Sequence, residues 1–168
     1  MMVEIDHQTQ EQVGKAADLI VVPIGVGSLG QAVVAHFKSR PSSAAVLAVE
    51  PDTAACLKTS LENGRMTSIP TENTTMCGMN CGTVSTLAWP VLRDGVDASI
   101  AVTDAEAKSA QDILTETQIN VGPCAAATLA AIIKARGDGN RGYLYLNADS
   151  VSVLLGTEGP RGEAFHLS

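Results

Sequence analysis

Two hydrophobic rhythms run along this chain: short unbroken apolar runs, and longer stretches with apolar residues every three or four positions. The first run, 19–24 (Leu-Ile-Val-Val-Pro-Ile), has the length and β-branched content of a buried strand. It breaks at Gly25-Val-Gly27-Ser28, and a helical pattern follows with Leu29, Val33, Ala35 and Phe37 near one face. Before it, 8–17 reads as a short helix. After it, 38–43 is a turn, 44–49 a second strand, and 52–62 a helix with Asp52 as N-cap and Asn63-Gly64 as its stop. Residues 66–82, rich in Thr, Asn, Gly and Cys, lack any period and read as a long loop, a length usually tied to function or mobility. A helix over 83–94 carries Trp89 and is kinked or begun by Pro90. A third strand covers 98–102, and Thr103-Asp-Ala-Glu106 is a capping box opening a helix to about 117. An Ala-rich helix over 122–135, a turn at 137–141 and a last strand at 151–155 complete the pattern. Strands alternating with helices predict an α/β fold of three layers, a mostly parallel sheet with helices on both faces. At 168 residues a single domain over 1–168 is expected.

In such a sheet ligands gather beyond the carboxyl ends of the strands. That rim would hold residues 25–30, Glu50-Pro51, Thr103-Asp104 and Thr157-Glu158. Strand, glycine turn and helix start present free backbone N–H groups and the positive end of a helix dipole, which favour a phosphate or another anion. Glycines let the backbone approach it closely.

Composition narrows the rest. The chain is 45% hydrophobic but 3% aromatic, so its core must be Ala, Val, Leu and Ile. A net charge of −7 without a basic cluster argues against a nucleic-acid partner. No apolar run is long enough for a membrane span, and polar, acidic residues 1–12 are unlike a signal peptide, so a cytoplasmic protein is expected. Cys56, Cys77, Cys81 and Cys124 lack the paired doublets of a zinc site, so reduced thiols and no metal are expected, with Cys56 a small buried hydrophobe. His7, His36 and His166 carry little catalytic weight where they fall.

Gly25-x-Gly27-x-x-Gly30, with Glu50 about 20 residues on, satisfies a dinucleotide-binding fingerprint, and local pattern alone ranks a nicotinamide domain first. Several segments in one order outweigh it. Pro23-Ile-Gly-Val-Gly-Ser-Leu-Gly30, Val49-Glu-Pro51, Thr75-Met-Cys-Gly-Met-Asn-Cys-Gly82, Leu87-Ala-Trp89, Gly122-Pro-Cys-Ala-Ala126 and Thr157-Glu-Gly159 follow one another collinearly. Together they resemble the fold-type-II pyridoxal-phosphate enzymes, the tryptophan synthase β-like superfamily, and within it diaminopropionate ammonia-lyase. The likeness runs from about residue 8 to the C-terminus. It implies that the backbone of Gly25, Val26, Gly27, Ser28 and Leu29 holds the cofactor phosphate and that Thr157 sits beside the pyridine nitrogen. Asn80, Cys81 and Gly82 would lie near cofactor or substrate. Glu158 is a candidate acid or base, or an organiser of the final loop; Cys81 is a candidate nucleophile or proton-transfer group.

The resemblance covers only the C-terminal half of such an enzyme. In these relatives the Schiff-base lysine and the smaller domain precede the matching segment. Lys15, Lys38, Lys58, Lys108 and Lys134 all fall on predicted helices or their ends, so this chain alone is not expected to form an imine with the cofactor. Ala125, Gly156 and Pro160-Arg161-Gly162 also depart from the family's pattern. Three readings stay open. One is a truncated lyase-like protein repurposed as a cofactor-independent small-molecule enzyme, using acid/base or addition–elimination chemistry. The second is one half of a split lyase completed by a partner chain, and the third a non-catalytic binding remnant. Apolar faces left bare by the shorter chain predict a homo-oligomer, most simply a twofold dimer.

Overall fold

Leu19, Ile20, Val21 and Val22 have no accessible surface, because the strand they form is covered on both faces. That strand, β1 (Leu19–Pro23), belongs to a computed structural model describing residues 1–39, 44–137 and 146–160. Helix α1 (Met2–Val13) precedes it, and α2 (Ser28–Phe37), β2 (Ala45–Pro51), α3 (Cys56–Glu62) and α4 (Trp89–Gly95) follow. Then come β3 (Ala98–Val102), α5 (Asp104–Glu116), α6 (Pro123–Gly137) and β4 (Ser152–Leu154). The strands lie in the order β3-β2-β1-β4, all parallel, with Leu19 opposite Ala45 on one side and Ser152 on the other.

Side chains on a strand alternate between faces, and two cores result. Leu19, Val21, Leu47 and Val49 pack under Ala107 and Ala110 of α5 and Ala126, Ala127, Ala130 and Ala131 of α6. Ile20, Val22, Val46 and Ala48 pack under Val33, Val34 and Phe37 of α2, Leu57 of α3 and Leu92 of α4. This is the expected three-layer α/β arrangement. The alanine-rich α6 packs closely because it has little side chain to keep it away.

Several boundaries moved. The first helix ends at Gly14, in the left-handed region at φ 77°, so it lies earlier than 8–17. Over 52–62, a 3-10 turn (Asp52–Ala54) is broken from α3 at Ala55. The helix around Trp89 begins there, not at 83, because proline fits the first turn of a helix and Pro90 is second in α4. Thr103 forms the expected capping box with Glu106. Gly137, expected to open a turn, ends α6, and the rest of that turn (138–141), part of the one at 38–43, Arg161-Gly162 and His166 lie outside the described residues.

Chain order explains where a ligand site can form. From β1 the chain passes through α2 to β2 and on to β3, all to one side. It then crosses through α5 and α6 and returns as β4 on the other side of β1. The strand order thus reverses at β1, and the gap between the loops after β1 and β4 is a topological switch point.

Candidate functional site

A cleft of about 530 Å³ lies at that point, lined by Pro23, Gly25, Val26, Gly27, Ser28, Leu29, Gly78, Met79, Cys124, Thr157, Glu158 and Gly159. The loop after β1 forms one wall and the loop after β4 the other. All six expected phosphate- and ring-binding positions, Gly25, Val26, Gly27, Ser28, Leu29 and Thr157, line it. Of the other rim segments, Glu50-Pro51 and Thr103-Asp104 do not.

The glycine loop is shaped by two demands. Gly27 has φ 98°, which side chains disfavour, and a Cβ there would meet Leu92 Cδ1 at 2.8 Å. A Cβ on Gly25 would lie 2.8 Å from the carbonyl oxygen of Gly78 and 3.4 Å from Cys81 Sγ. Both glycines thus allow the loop to seat against α4 and against the 75–82 segment. Helix α2 starts at the cleft with no side-chain cap and no acidic residue in its first turn. Its opening amides carry no competing carboxylate, and such a helix start suits a phosphate. The uncapped start of α2, lining the cleft with Gly27, Ser28 and Leu29, offers the kind of donor set that the phosphate of pyridoxal phosphate would need.

The opposite wall hangs from Glu158. Its Oε2 accepts the Cys124 N–H at 2.7 Å, and its carbonyl accepts the Gly122 N–H at 3.0 Å. It is the only charged residue lining the cleft among the described residues. Cys81 and Asn80 lie behind the lining, in the 75–82 segment. Cys81 Sγ sits under Gly25, and burial, with the nearby Glu50 carboxyl, pushes its thiol above the usual range. A thiol so placed stays protonated at neutral pH. Asn80 Nδ2 donates to Glu72 O at 3.1 Å and braces the segment. Asp104 also holds it: its carboxylate accepts from Thr74 Oγ1 (2.5 Å) and Thr75 N–H (2.9 Å). Burial acts against the Asp104 charge, but these bonds outweigh it and hold the carboxyl below its ordinary range. Asp104 is therefore a loop clamp, and Thr103 is the helix cap.

Glu50 is a correction. Its position matched a ribose-binding acid on the ligand rim, yet it has no accessible surface. Its two oxygens accept the N–H groups of Leu57 (2.7 Å) and Lys58 (2.8 Å), capping α3 from the end of β2. Desolvation pushes its carboxyl up to about 7 against the opposing pull of those bonds. A dinucleotide ribose has no access to it. Cys56 next to it is fully buried, as expected, and its thiol is pushed up to about 12 by burial first and Glu50 second.

None of the five lysines is among the residues lining the cleft. Lys15 pairs with Asp18, Lys38 with Asp97, Lys58 with Glu62, Lys108 with Asp112 and Lys134 with Glu106. Among the described residues no cluster of metal-ligating side chains occurs, and no helix is long and apolar enough to cross a membrane. Sequence reasoning missed Gly78, Met79 and Cys124 as lining residues. Gly78 could have been found, since a glycine in an aperiodic loop can mark a close backbone approach, here to Gly25.

A family model described as pyridoxal-phosphate dependent enzyme matches residues 1–154. Serine racemase of Arabidopsis thaliana is 33% identical over 131 residues, 77% of this chain and 38% of that protein. Diaminopropionate ammonia-lyase of Salmonella typhimurium is 26% identical over 176 residues, 95% of this chain and 43% of that protein. Among solved structures, a threonine deaminase from T.th. superposes with a TM-score of 0.82 at 26% identity, covering 96% of this chain and 55% of that one. The chain thus spans about half the length of these relatives, or less.

Proposed function

The chain belongs to the pyridoxal-phosphate dependent enzyme family, and from that premise we propose that it binds this cofactor's phosphate at the start of α2 and forms one wall of a site for a small amino acid. The observation that carries this reading is the cleft itself, where the uncapped start of α2 faces the Thr157–Gly159 loop across about 530 Å³. When bound, pyridoxal phosphate supplies an electron sink for carbanion chemistry on an amino-acid substrate.

The chain's own residues have limited roles in that chemistry. Backbone amides from Gly25 to Leu29 would hold the phosphate, and Gly25 and Gly27 let the loop seat closely against the 75–82 segment and α4. The Thr157 hydroxyl, able to donate or accept and lining the same cleft, would serve the ring nitrogen. Asn80 and Cys81 support the loop from behind. None of the five ion-paired lysines lines the cleft, so an amine anchoring the aldehyde would come from outside these 168 residues, which a split lyase completed by a partner chain would provide. The placement of those lysines also favours a second reading. There the same cleft takes a small anionic substrate without an anchored cofactor, and Glu158, the one carboxylate lining it among the described residues, performs acid/base or addition–elimination chemistry. In either case the chain associates with a second copy.

The test is titration of the chain with pyridoxal phosphate, followed by Trp89 fluorescence, with inorganic phosphate as competitor. Borohydride reduction and mass spectrometry are then run on the stoichiometric complex. Saturable binding displaced by phosphate, with no reduced adduct on lysine, is the expected result. Binding indifferent to phosphate sinks the cradle. A stoichiometric adduct on one lysine sinks the assignment of the anchor elsewhere, and absence of any binding leaves the cofactor-independent reading.

A further inference from the structure

We infer that Glu158 is a positioning residue, whose carboxylate caps α6 from the far side of the chain and so fixes the wall formed by residues 157–159. The inference rests on the reading of the cleft as a ligand site for its functional meaning, but the clamp can be tested without ligand. Helix α6 begins at Pro123 and is preceded by Gly122, which has no side chain to offer its opening amides. Glu158 supplies the missing acceptor by taking the Cys124 N–H at 2.7 Å. A carboxylate at a helix start is favoured by charge-assisted hydrogen bonding and by the helix dipole.

The clamp is double. The Gly122 N–H donates to the Glu158 carbonyl at 3.0 Å, so main chain and side chain of one residue grip the same helix start. Two anchors fix both the position and the orientation of the peptide planes around it. The wall needs this, because it leaves the sheet soon after Leu155, whose N–H donates to Val21 O at 3.0 Å. Gly122 makes the fit possible: a Cβ there would lie 2.5 to 2.6 Å from Glu158 Cδ, Cγ and Oε2. Glycine at 122 and glutamate at 158 are therefore one device. Thr157 and Gly159, its immediate neighbours, line the cleft and inherit their placement from it.

Four versions of the chain decide the matter: wild type, E158A, E158Q and G122A. Amide hydrogen exchange over 122–126 and 155–160 is measured on the ligand-free chain, and pyridoxal phosphate affinity by Trp89 fluorescence. In E158A and G122A, exchange in both segments should rise and affinity fall by about tenfold, the loss expected for one charge-assisted bond. E158Q keeps an acceptor oxygen for the Cys124 N–H and should recover most of both losses. If E158A does not fold, E158D, with an arm one methylene shorter, takes its place with the same expected outcome. Unchanged exchange in E158A overturns the clamp. E158Q as impaired in affinity as E158A, with exchange restored, overturns the positioning role in favour of a direct need for the charge. If wild type binds no pyridoxal phosphate, the cofactor reading fails while the exchange result still decides the clamp.

Discussion

Replacing Glu50 by glutamine isolates a buried carboxyl that does not touch the cleft. In the fold this group is fully enclosed, and desolvation raises its pKa from 4.5 to about 7 despite two backbone donors that favour the charged form. The folded state therefore holds the proton more tightly than the unfolded state does. Its contribution to stability is fully present below about 4.5 and is lost as pH rises through about 7. A rise of that size corresponds to roughly 3 kcal/mol across the window. Glutamine mimics the protonated carboxyl, keeping an oxygen for Leu57 or Lys58 and carrying no charge to desolvate. Urea unfolding of wild type and E50Q at intervals from about pH 4.5 to about pH 8 removes the contribution of every other titrating group by difference. The stability of E50Q relative to wild type should climb by roughly 3 kcal/mol over that range, almost all before about pH 8. A gap constant across the range refutes the assignment. A gap moving the other way shows that the two α3 amides outweigh desolvation.

Two further outcomes follow from other parts of the fold. In G25A the new methyl would meet the Gly78 carbonyl at 2.8 Å, a backbone atom that cannot swing aside; the variant should lose about 1–3 kcal/mol in urea unfolding and bind pyridoxal phosphate more weakly, and unchanged values for both would count against the close approach. Val26 and Leu87, 51% and 79% exposed, lie on neighbouring segments joined by the Ser85 N–H to Val26 O bond, and we expect a second copy to cover them. Light scattering over a dilution series should show a dimer, and a monomer throughout would remove that expectation.

The sequence made the central strand legible because a parallel strand covered on both faces must be apolar throughout, as 19–24 is. The capping box at Thr103 was equally legible, since both partners lie within four residues. Glu50 was misread for the opposite reason. Its partners, Leu57 and Lys58, are near in sequence, but its burial comes from the packing of a whole layer, which no local window reports. The boundary of α3 was lost with it, because Asp52 had the look of a cap while the cap came from the strand before it. The glycine loop was legible as a turn between a strand and a helix start at the rim, yet the bond between Glu158 and the start of α6 spans 34 positions and left only a hint in Gly122. Asp104 shows the same limit: the Thr74 and Thr75 groups it holds lie 30 and 29 positions earlier.

The contact that seats the final strand, the Val151 N–H on Asp18 Oδ2 at 2.6 Å, joins residues 133 positions apart. Nothing local can draw those residues together, so the search is entropically slow and completes only when the 133 positions from Asp18 to Val151 are in place. A nascent chain would display its glycine loop long before an opposing wall existed. The pocket is thus a product of the finished topology, and anything that binds it will report on whether the last strand has docked.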